Sequence, residues 1–89
     1  MLEREVTISN KLGLHARASA KLVQLLQGFQ ADAFLVHRGR EVNAKSIMGV
    51  MMLAAGIGSL ITLRADGPDE GAALDAMAEL FARKFDEGA

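Results

Sequence analysis

The sequence contains no cysteine, tryptophan or tyrosine, and only one of its 89 residues is proline. Without cysteine, neither a disulfide framework nor a thiolate metal site can form, and a reducing, cytoplasmic setting is expected. The two histidines are too few for a typical metal centre, so we expect no bound metal. The first residues do not combine a basic segment with an apolar stretch, which argues against a signal peptide.

Neither sign of charge is in clear excess, because 10 Lys and Arg residues face 11 Asp and Glu residues, for a formal net charge of -1. This balance gives no attraction to nucleic acids or to anionic membranes. The longest apolar run, residues 47–57, is shorter than the roughly 20 residues that span a bilayer, so no membrane insertion is expected. The hydrophobic content of 51% suits a single compact domain over residues 1–89, which we expect to be a monomer.

Hydrophobic periodicity predicts seven short elements in the order β-α-β-β-α-β-α. Alternation predicts strands over residues 2–8, 31–36, 40–43 and 60–65. Helical spacing predicts a helix over 16–27, on which Ser19 faces water. A second helix is capped by Ser46, runs to about Leu53 and is ended by Gly56. A third helix starts at residues 67–70, with a stripe that extends to Phe85. This pattern predicts an α+β fold in which helices cover one face of an antiparallel sheet.

The segment around His15 carries the clearest chemical pattern. His15 stands where the loop of residues 9–13 gives way to the first predicted helix, at or beside its N-cap. Free backbone N–H groups and the positive end of the helix dipole make such a position an anion site. The same positive end favours a neutral imidazole, which keeps a ring-nitrogen lone pair for nucleophilic attack. Arg17 adds a guanidinium group that suits phosphate.

These residues alone leave two interpretations open. A lone histidine near a helix start is more often a polar surface residue than a nucleophile. The presence of Arg17 raises the case for a nucleophile only modestly. The pattern establishes that a phosphate could be held at His15, but it does not establish that one arrives. His37 stands beside Arg38 without a companion ligand, so we expect it to be an ordinary surface histidine.

Two motifs resemble the signatures of one known family. Residues 10–17 read NKLGLHAR, and residues 45–51 read KSIMGVM. They are similar to the active-site and second signatures of the histidine-containing phosphocarrier proteins (HPr) of the bacterial phosphoenolpyruvate-dependent phosphotransferase system. The resemblance covers nearly the whole chain, and it implies a four-stranded sheet with the order 1-4-2-3.

The resemblance implies a phosphocarrier rather than an enzyme. His15 would accept a phosphoryl group on Nδ1 from phosphorylated Enzyme I and pass it to an Enzyme IIA domain, while Arg17 steadies the group. No cofactor is implied, because the partner enzymes complete the in-line geometry. The sequence offers no second acid, base or metal ligand beside His15.

One departure from the family pattern concerns Ala18, where the family usually has proline. Alanine is the best helix former, so the start of the helix should be preserved. Alanine at this position also occurs in nitrogen-regulatory relatives, which leaves two alternatives open. One is a carrier of the sugar branch and the other is a regulatory docking protein of the nitrogen-type branch, and the two functions are compatible.

Ser46 has a structural and a regulatory interpretation. As an N-cap, it stabilises the second helix by about 1 kcal/mol relative to alanine. By resemblance, it is the serine that a dedicated HPr kinase/phosphorylase phosphorylates. A phosphate there would add nearly two negative charges where Enzyme I docks, and it would weaken docking.

The second predicted helix is apolar on every side, and so short a helix cannot bury all of its side chains. Exposed, flexible methionines suit a surface that contacts several partners. We expect the docking surface to combine residues of the first and second helices, namely Ala16, Ala20, Lys21, Ile47, Met48 and Met51.

An RNA-binding module is a rival interpretation, since small antiparallel α/β sheets often bind RNA. That function needs exposed aromatic side chains on the strands and a basic face. The chain has only four phenylalanines, and its net charge is negative. The composition therefore favours a protein partner over a nucleic acid.

Overall fold

The computed structural model describes residues 1–87 and contains four strands and three α-helices. The strands are β1 (Leu2–Thr7), β2 (Asp32–His37), β3 (Arg40–Asn43) and β4 (Leu60–Asp66). The helices are α1 (Ala16–Leu26), α2 (Ile47–Met52) and α3 (Glu70–Ala82), and a 3-10 helix (Lys84–Asp86) follows α3. The predicted order of the seven main elements is confirmed.

The sheet has the order β1-β4-β2-β3, and each adjacent pair of strands is antiparallel. This is the order that the resemblance implied. Alternate residues of the central strand β4 are buried, namely Ile61, Leu63 and Ala65. On the opposite face of β4, Arg64 pairs with Glu3 and Glu41. α3 packs against β1 and β4, α2 contacts β3, and α1 contacts both α2 and α3, so the helices cover one face of the sheet.

The core lies between the helices and the covered face of the sheet. Leu22 of α1, Val50 of α2 and Met77 of α3 are completely buried. Burial of such a side chain contributes roughly 1.5–3 kcal/mol. Phe81 and Phe85 meet edge to face with ring centroids 4.8 Å apart, which joins the 3-10 helix to the end of α3. The core therefore fixes both the helices and the segment that follows them.

The burial pattern departs from the sequence prediction at two places. Ser19, expected to face water, is fully buried, and its Oγ donates to the carbonyl oxygen of Leu14 over 3.2 Å. Because this bond satisfies the hydroxyl group, a polar residue can lie on the inner face of α1. The alternation of residues 2–8 predicts a half-buried strand, but within β1 only Val6 is partly shielded from solvent.

The ends of two helices can be compared with the prediction. α2 ends at Met52, close to the predicted end at about Leu53. The residue with a left-handed backbone just after the helix is Ala54 (φ 51°), whereas Gly56 was expected to end the helix. α3 ends at Ala82, so Phe85 does not continue its apolar stripe as predicted. Phe85 instead has a φ of 54° inside the 3-10 helix and is completely buried. Its ring thus reaches the core from a segment that has already left the helix.

Candidate functional site

The turn that precedes His15 is held by several hydrogen bonds. Asn10 Nδ2 donates to the carbonyl oxygen of Gly13 over 2.8 Å, and the Gly13 N–H donates to the Asn10 carbonyl oxygen over 3.2 Å. Leu14 is buried, and its N–H donates to the carbonyl oxygen of Ala55 over 3.0 Å. Together these bonds fix the backbone position from which His15 projects.

His15 is the N-cap of α1, as predicted. Its carbonyl oxygen accepts from the Ser19 N–H over 2.9 Å, and its Nδ1 accepts from the Arg17 N–H over 3.3 Å. The ring thus takes the role that a serine or aspartate side chain has at many N-caps. Nδ1 consequently faces the first turn of the helix, where backbone N–H groups have no carbonyl partner within the helix.

Glu87 also contacts the His15 ring, which was not predicted. Its Oε2 is hydrogen-bonded to Nε2 of His15, and its Oε1 accepts from Nδ2 of Asn10 over 3.2 Å. Because a backbone N–H only donates and a carboxylate only accepts, the two ring contacts fit a neutral imidazole with its proton on Nε2 and a lone pair on Nδ1. The statement that no acid accompanies His15 is therefore wrong. The two residues are 72 positions apart, so no spacing pattern could have linked them.

The surroundings of Glu87 favour its charged form. The hydrogen bond from the His15 ring is the main cause that lowers the pKa of Glu87 below its usual range. The Asn10 amide and the positive charge of Arg17 act in the same direction, whereas partial burial opposes them. The Glu87 side chain is 17% exposed and that of His15 is 27% exposed. A carboxylate therefore lies on the Nε2 side of the ring, opposite Nδ1.

An open depression of about 600 Å³ adjoins the His15 ring. Its lining combines cationic side chains with the end of the described chain: Lys11, Leu12, His15, Arg17, Lys21, Phe85, Asp86 and Glu87. Arg17 is exposed, whereas Lys21 pairs with Asp86 over 3.5 Å. Guanidinium groups bind phosphate oxygens in a fork geometry, so this depression has the size and the charge to admit a phosphoryl group.

Ser46 and the predicted docking residues lie outside the depression, except for Lys21. Ser46 is the N-cap of α2, as predicted, and its Oγ accepts from the Gly49 N–H over 3.1 Å. The exposed fractions of three α2 side chains are 42% for Ile47, 71% for Met48 and 41% for Met51. On α1, Ala16 is exposed, whereas Ala20 and Lys21 are half-buried. Because α1 packs against α2, these residues belong to neighbouring helices.

His37 lies away from this site, and its Nδ1 donates to the carbonyl oxygen of Leu60 over 3.2 Å. Within residues 1–87, no group of three or more His, Cys, Asp or Glu side chains is placed to hold a metal ion. None of the helices in this range has the length and apolar character needed to cross a bilayer.

A family model described as "PTS HPr component phosphorylation site" matches residues 2–83. The chain belongs to the HPr family of phosphocarrier proteins. It is 62% identical over 88 residues to the phosphocarrier protein HPr of Cupriavidus necator, with 99% of both chains covered. It is 50% identical over 86 residues to the phosphocarrier protein NPr of Shewanella violacea, which covers 97% of this chain and 94% of that protein. The prediction of a phosphocarrier of the phosphotransferase system, and not an enzyme, is confirmed.

Solved structures of HPr proteins have the same fold. The crystal structure of HPr-C-His from Thermoanaerobacter tengcongensis matches with a TM-score of 0.94 and 41% identity over 98% of both chains. A crystal structure of an HPr dimer from the same organism matches with a TM-score of 0.76 and 41% identity, covering 96% of this chain and 98% of that one. The family therefore includes a member crystallised as a dimer, whereas a monomer was expected for this chain.

Proposed function

We propose that residues 1–89 form one phosphocarrier domain in which His15 accepts a phosphoryl group from phosphorylated Enzyme I and delivers it to Enzyme IIA-type acceptors. The observation that carries this proposal is the position of His15 Nδ1 at the start of α1, in contact with the Arg17 N–H. Membership of the HPr family supplies the phosphoryl chemistry. The two hydrogen bonds of the ring favour Nδ1 as the nucleophile, because its lone pair is not protonated.

In the transfer step, the Nδ1 lone pair forms a bond to phosphorus while the bond from phosphorus to the donor breaks. The donor keeps the electron pair of the broken bond. The Arg17 N–H, released from Nδ1, can then donate to a phosphoryl oxygen, and the helix dipole stabilises the added negative charge. The Arg17 guanidinium supplies further charge-assisted hydrogen bonds, each contributing roughly 1.5–3 kcal/mol.

The exposed side chains of Ile47, Met48 and Met51 support docking of these partners on α2. Exposed Ala16 and half-buried Ala20 and Lys21 would extend the docking surface onto the neighbouring helix α1. Ser46 lies at the start of the helix that carries the exposed methionines. Phosphorylation of Ser46 by an HPr kinase/phosphorylase would place nearly two negative charges next to this face. We expect that charge to weaken the encounter with Enzyme I.

Labelling with phosphoenolpyruvate and Enzyme I tests the proposal. The wild-type chain should gain one acid-labile phosphoryl group, and His15→Ala should gain none. His37→Ala is the matched control, since it removes a histidine that lies away from the site, and it should label normally. Acid-labile phosphate on His15→Ala would contradict the assignment.

Arg17→Ala tests how much the Arg17 side chain contributes to transfer while the nucleophile His15 is left in place. The lost guanidinium should slow transfer by about tenfold, which corresponds to about 1.4 kcal/mol, while His15 still becomes labelled. Rapid-quench measurement of the transfer rate from phosphorylated Enzyme I gives the answer. A rate equal to that of the wild type would exclude Arg17 from the transfer step.

A regulatory docking protein of the nitrogen-type branch is a second candidate function. Ala18 favours it, as does the 50% identity to the Shewanella violacea NPr. Expression in cells that lack their own sugar carrier distinguishes the two candidates. Restored sugar uptake supports the sugar relay, whereas normal His15 labelling without restored uptake supports the regulatory branch.

A further inference from the structure

We infer that Glu87 is a positioning residue, whose carboxylate holds His15 Nε2–H and stabilises the positive charge that the ring gains when Nδ1 binds phosphorus. This inference rests on the proposed transfer to His15 and adds a residue to it. Its basis is the hydrogen bond between Glu87 Oε2 and His15 Nε2, on the side of the ring opposite the reacting nitrogen.

Both oxygens of the Glu87 carboxylate are used. One binds the His15 ring, and the other accepts from Asn10 Nδ2, which also donates to the Gly13 carbonyl oxygen. Asn10 is completely buried, and its Oδ1 has no hydrogen-bond partner within residues 1–87. Rotating the amide by half a turn would place Oδ1 against two acceptors. The amide orientation is therefore set by its two donor bonds, one of which fixes Glu87.

The charge balance of the transfer step explains what the carboxylate does. The neutral ring carries its proton on Nε2, and Nδ1 donates its lone pair to phosphorus. The donor departs with the electron pair of the broken bond, so the ring becomes an imidazolium that still holds the Nε2 proton. A carboxylate that accepts from Nε2–H is closest to this new charge, as in a catalytic Asp-His pair. The contact therefore becomes stronger as the bond to phosphorus forms.

The contact between Glu87 and His15 is not the main anchor of residues 83–87. Phe85 is completely buried and packs edge to face on Phe81, which anchors the segment two residues before Glu87. Arg83 and Lys21 also hold Asp86 by ion pairs. Because the segment has these other anchors, a Glu87 variant should remain folded, and its effect can be measured at the ring.

Nuclear magnetic resonance of the His15 ring nitrogens in the full chain tests the contact directly. The wild type should show the tautomer protonated at Nε2, with a proton on Nε2 that is shifted downfield and exchanges slowly with water. In Glu87→Ala this proton should exchange rapidly. A rapidly exchanging Nε2 proton in the wild type, or an unchanged signal in Glu87→Ala, would overturn the inference.

The rate of phosphorylation by Enzyme I tests whether the negative charge of Glu87 assists the transfer step. Glu87→Gln keeps the size of the side chain but removes its charge, and kcat for transfer should fall by about tenfold with KM changed by less than about twofold. Asp75→Asn is the control, since it removes an equal charge from an exposed residue that pairs with Arg4. An unchanged kcat in Glu87→Gln, or an equal fall in Asp75→Asn, would refute the role of Glu87.

The two proposals fail in different ways. If the wild-type chain takes up no phosphoryl group, the proposed function is wrong, whatever the ring resonances show. If the wild type is labelled on His15 and Glu87→Gln is labelled equally fast, only the role of Glu87 is wrong.

Discussion

Replacement of Gly13 by alanine should disturb both the fold and the position of His15. A Cβ added at Gly13 would lie 2.6 Å from the carbonyl oxygen of Ala55 and 2.8 Å from the Cα of Gly56. Both are backbone atoms, so a side-chain rotation cannot relieve the overlap. The Ala55 oxygen is also the acceptor for the N–H of Leu14, the residue before His15. Relief of the overlap therefore moves the backbone that positions the nucleophile.

The expected loss has two parts. Gly13 has a φ of 64°, and the left-handed conformation costs an L residue about 1–2 kcal/mol. Overpacking against fixed neighbours typically costs a further 1–3 kcal/mol. Together these effects lower the free energy of unfolding by about 2–5 kcal/mol, a large share of the roughly 4–13 kcal/mol expected for a chain of this length.

Gly39→Ala provides a matched comparison. Gly39 has a φ of 79°, but a Cβ there would have no neighbour within 4 Å, so only the conformational cost of about 1–2 kcal/mol applies. Urea and thermal unfolding followed by circular dichroism give both values, and each 1 kcal/mol should lower Tm by about 4–8 °C. Equal losses in the two variants would refute the argument from overlap, and so would full-rate labelling of His15 in Gly13→Ala.

Two further predictions concern hydrogen bonds between side chains and backbone N–H groups. Ser46→Ala removes the hydrogen bond to the Gly49 N–H and should lower the free energy of unfolding, measured in urea, by about 1 kcal/mol. Ser46→Thr should keep most of this stability. Equal losses in the two variants would exclude the capping role of Ser46. Hydrogen bonds from the N–H groups of Gln30 and Ala31 lower the pKa of Asp69, so its contribution to stability is complete above the usual carboxyl pKa and is lost as the pH falls through the lowered value. Asp69→Asn should therefore make stability less dependent on pH below about pH 4 than in the wild type, and an unchanged slope would contradict this assignment.

The sequence was most informative where the structure depends on residues that are close together along the chain. The N-caps at His15 and Ser46 were predicted from the change from loop to helical spacing, and both are present. The strand order came from the resemblance alone. Alternation of apolar residues shows which face of a strand is buried, but it does not show which strands are adjacent in the sheet. The burial of Ser19 could not be predicted, since its acceptor is a carbonyl that only the folded loop brings into range. Glu87 was missed for the same reason, over a far longer separation along the chain.

The two contacts of the His15 ring have different consequences for the reaction. The contact with the Arg17 N–H is local, but it occupies Nδ1 and must be released when that nitrogen binds phosphorus. The contact with Glu87 lies on Nε2 and can persist through the transfer. The orientation of the ring at the moment of reaction would therefore depend on the distant contact and not on the local one. Glu87 lies beyond residue 83, where the match to the family model ends, so the signature around His15 would account for the nucleophile but not for the group that stabilises its charge.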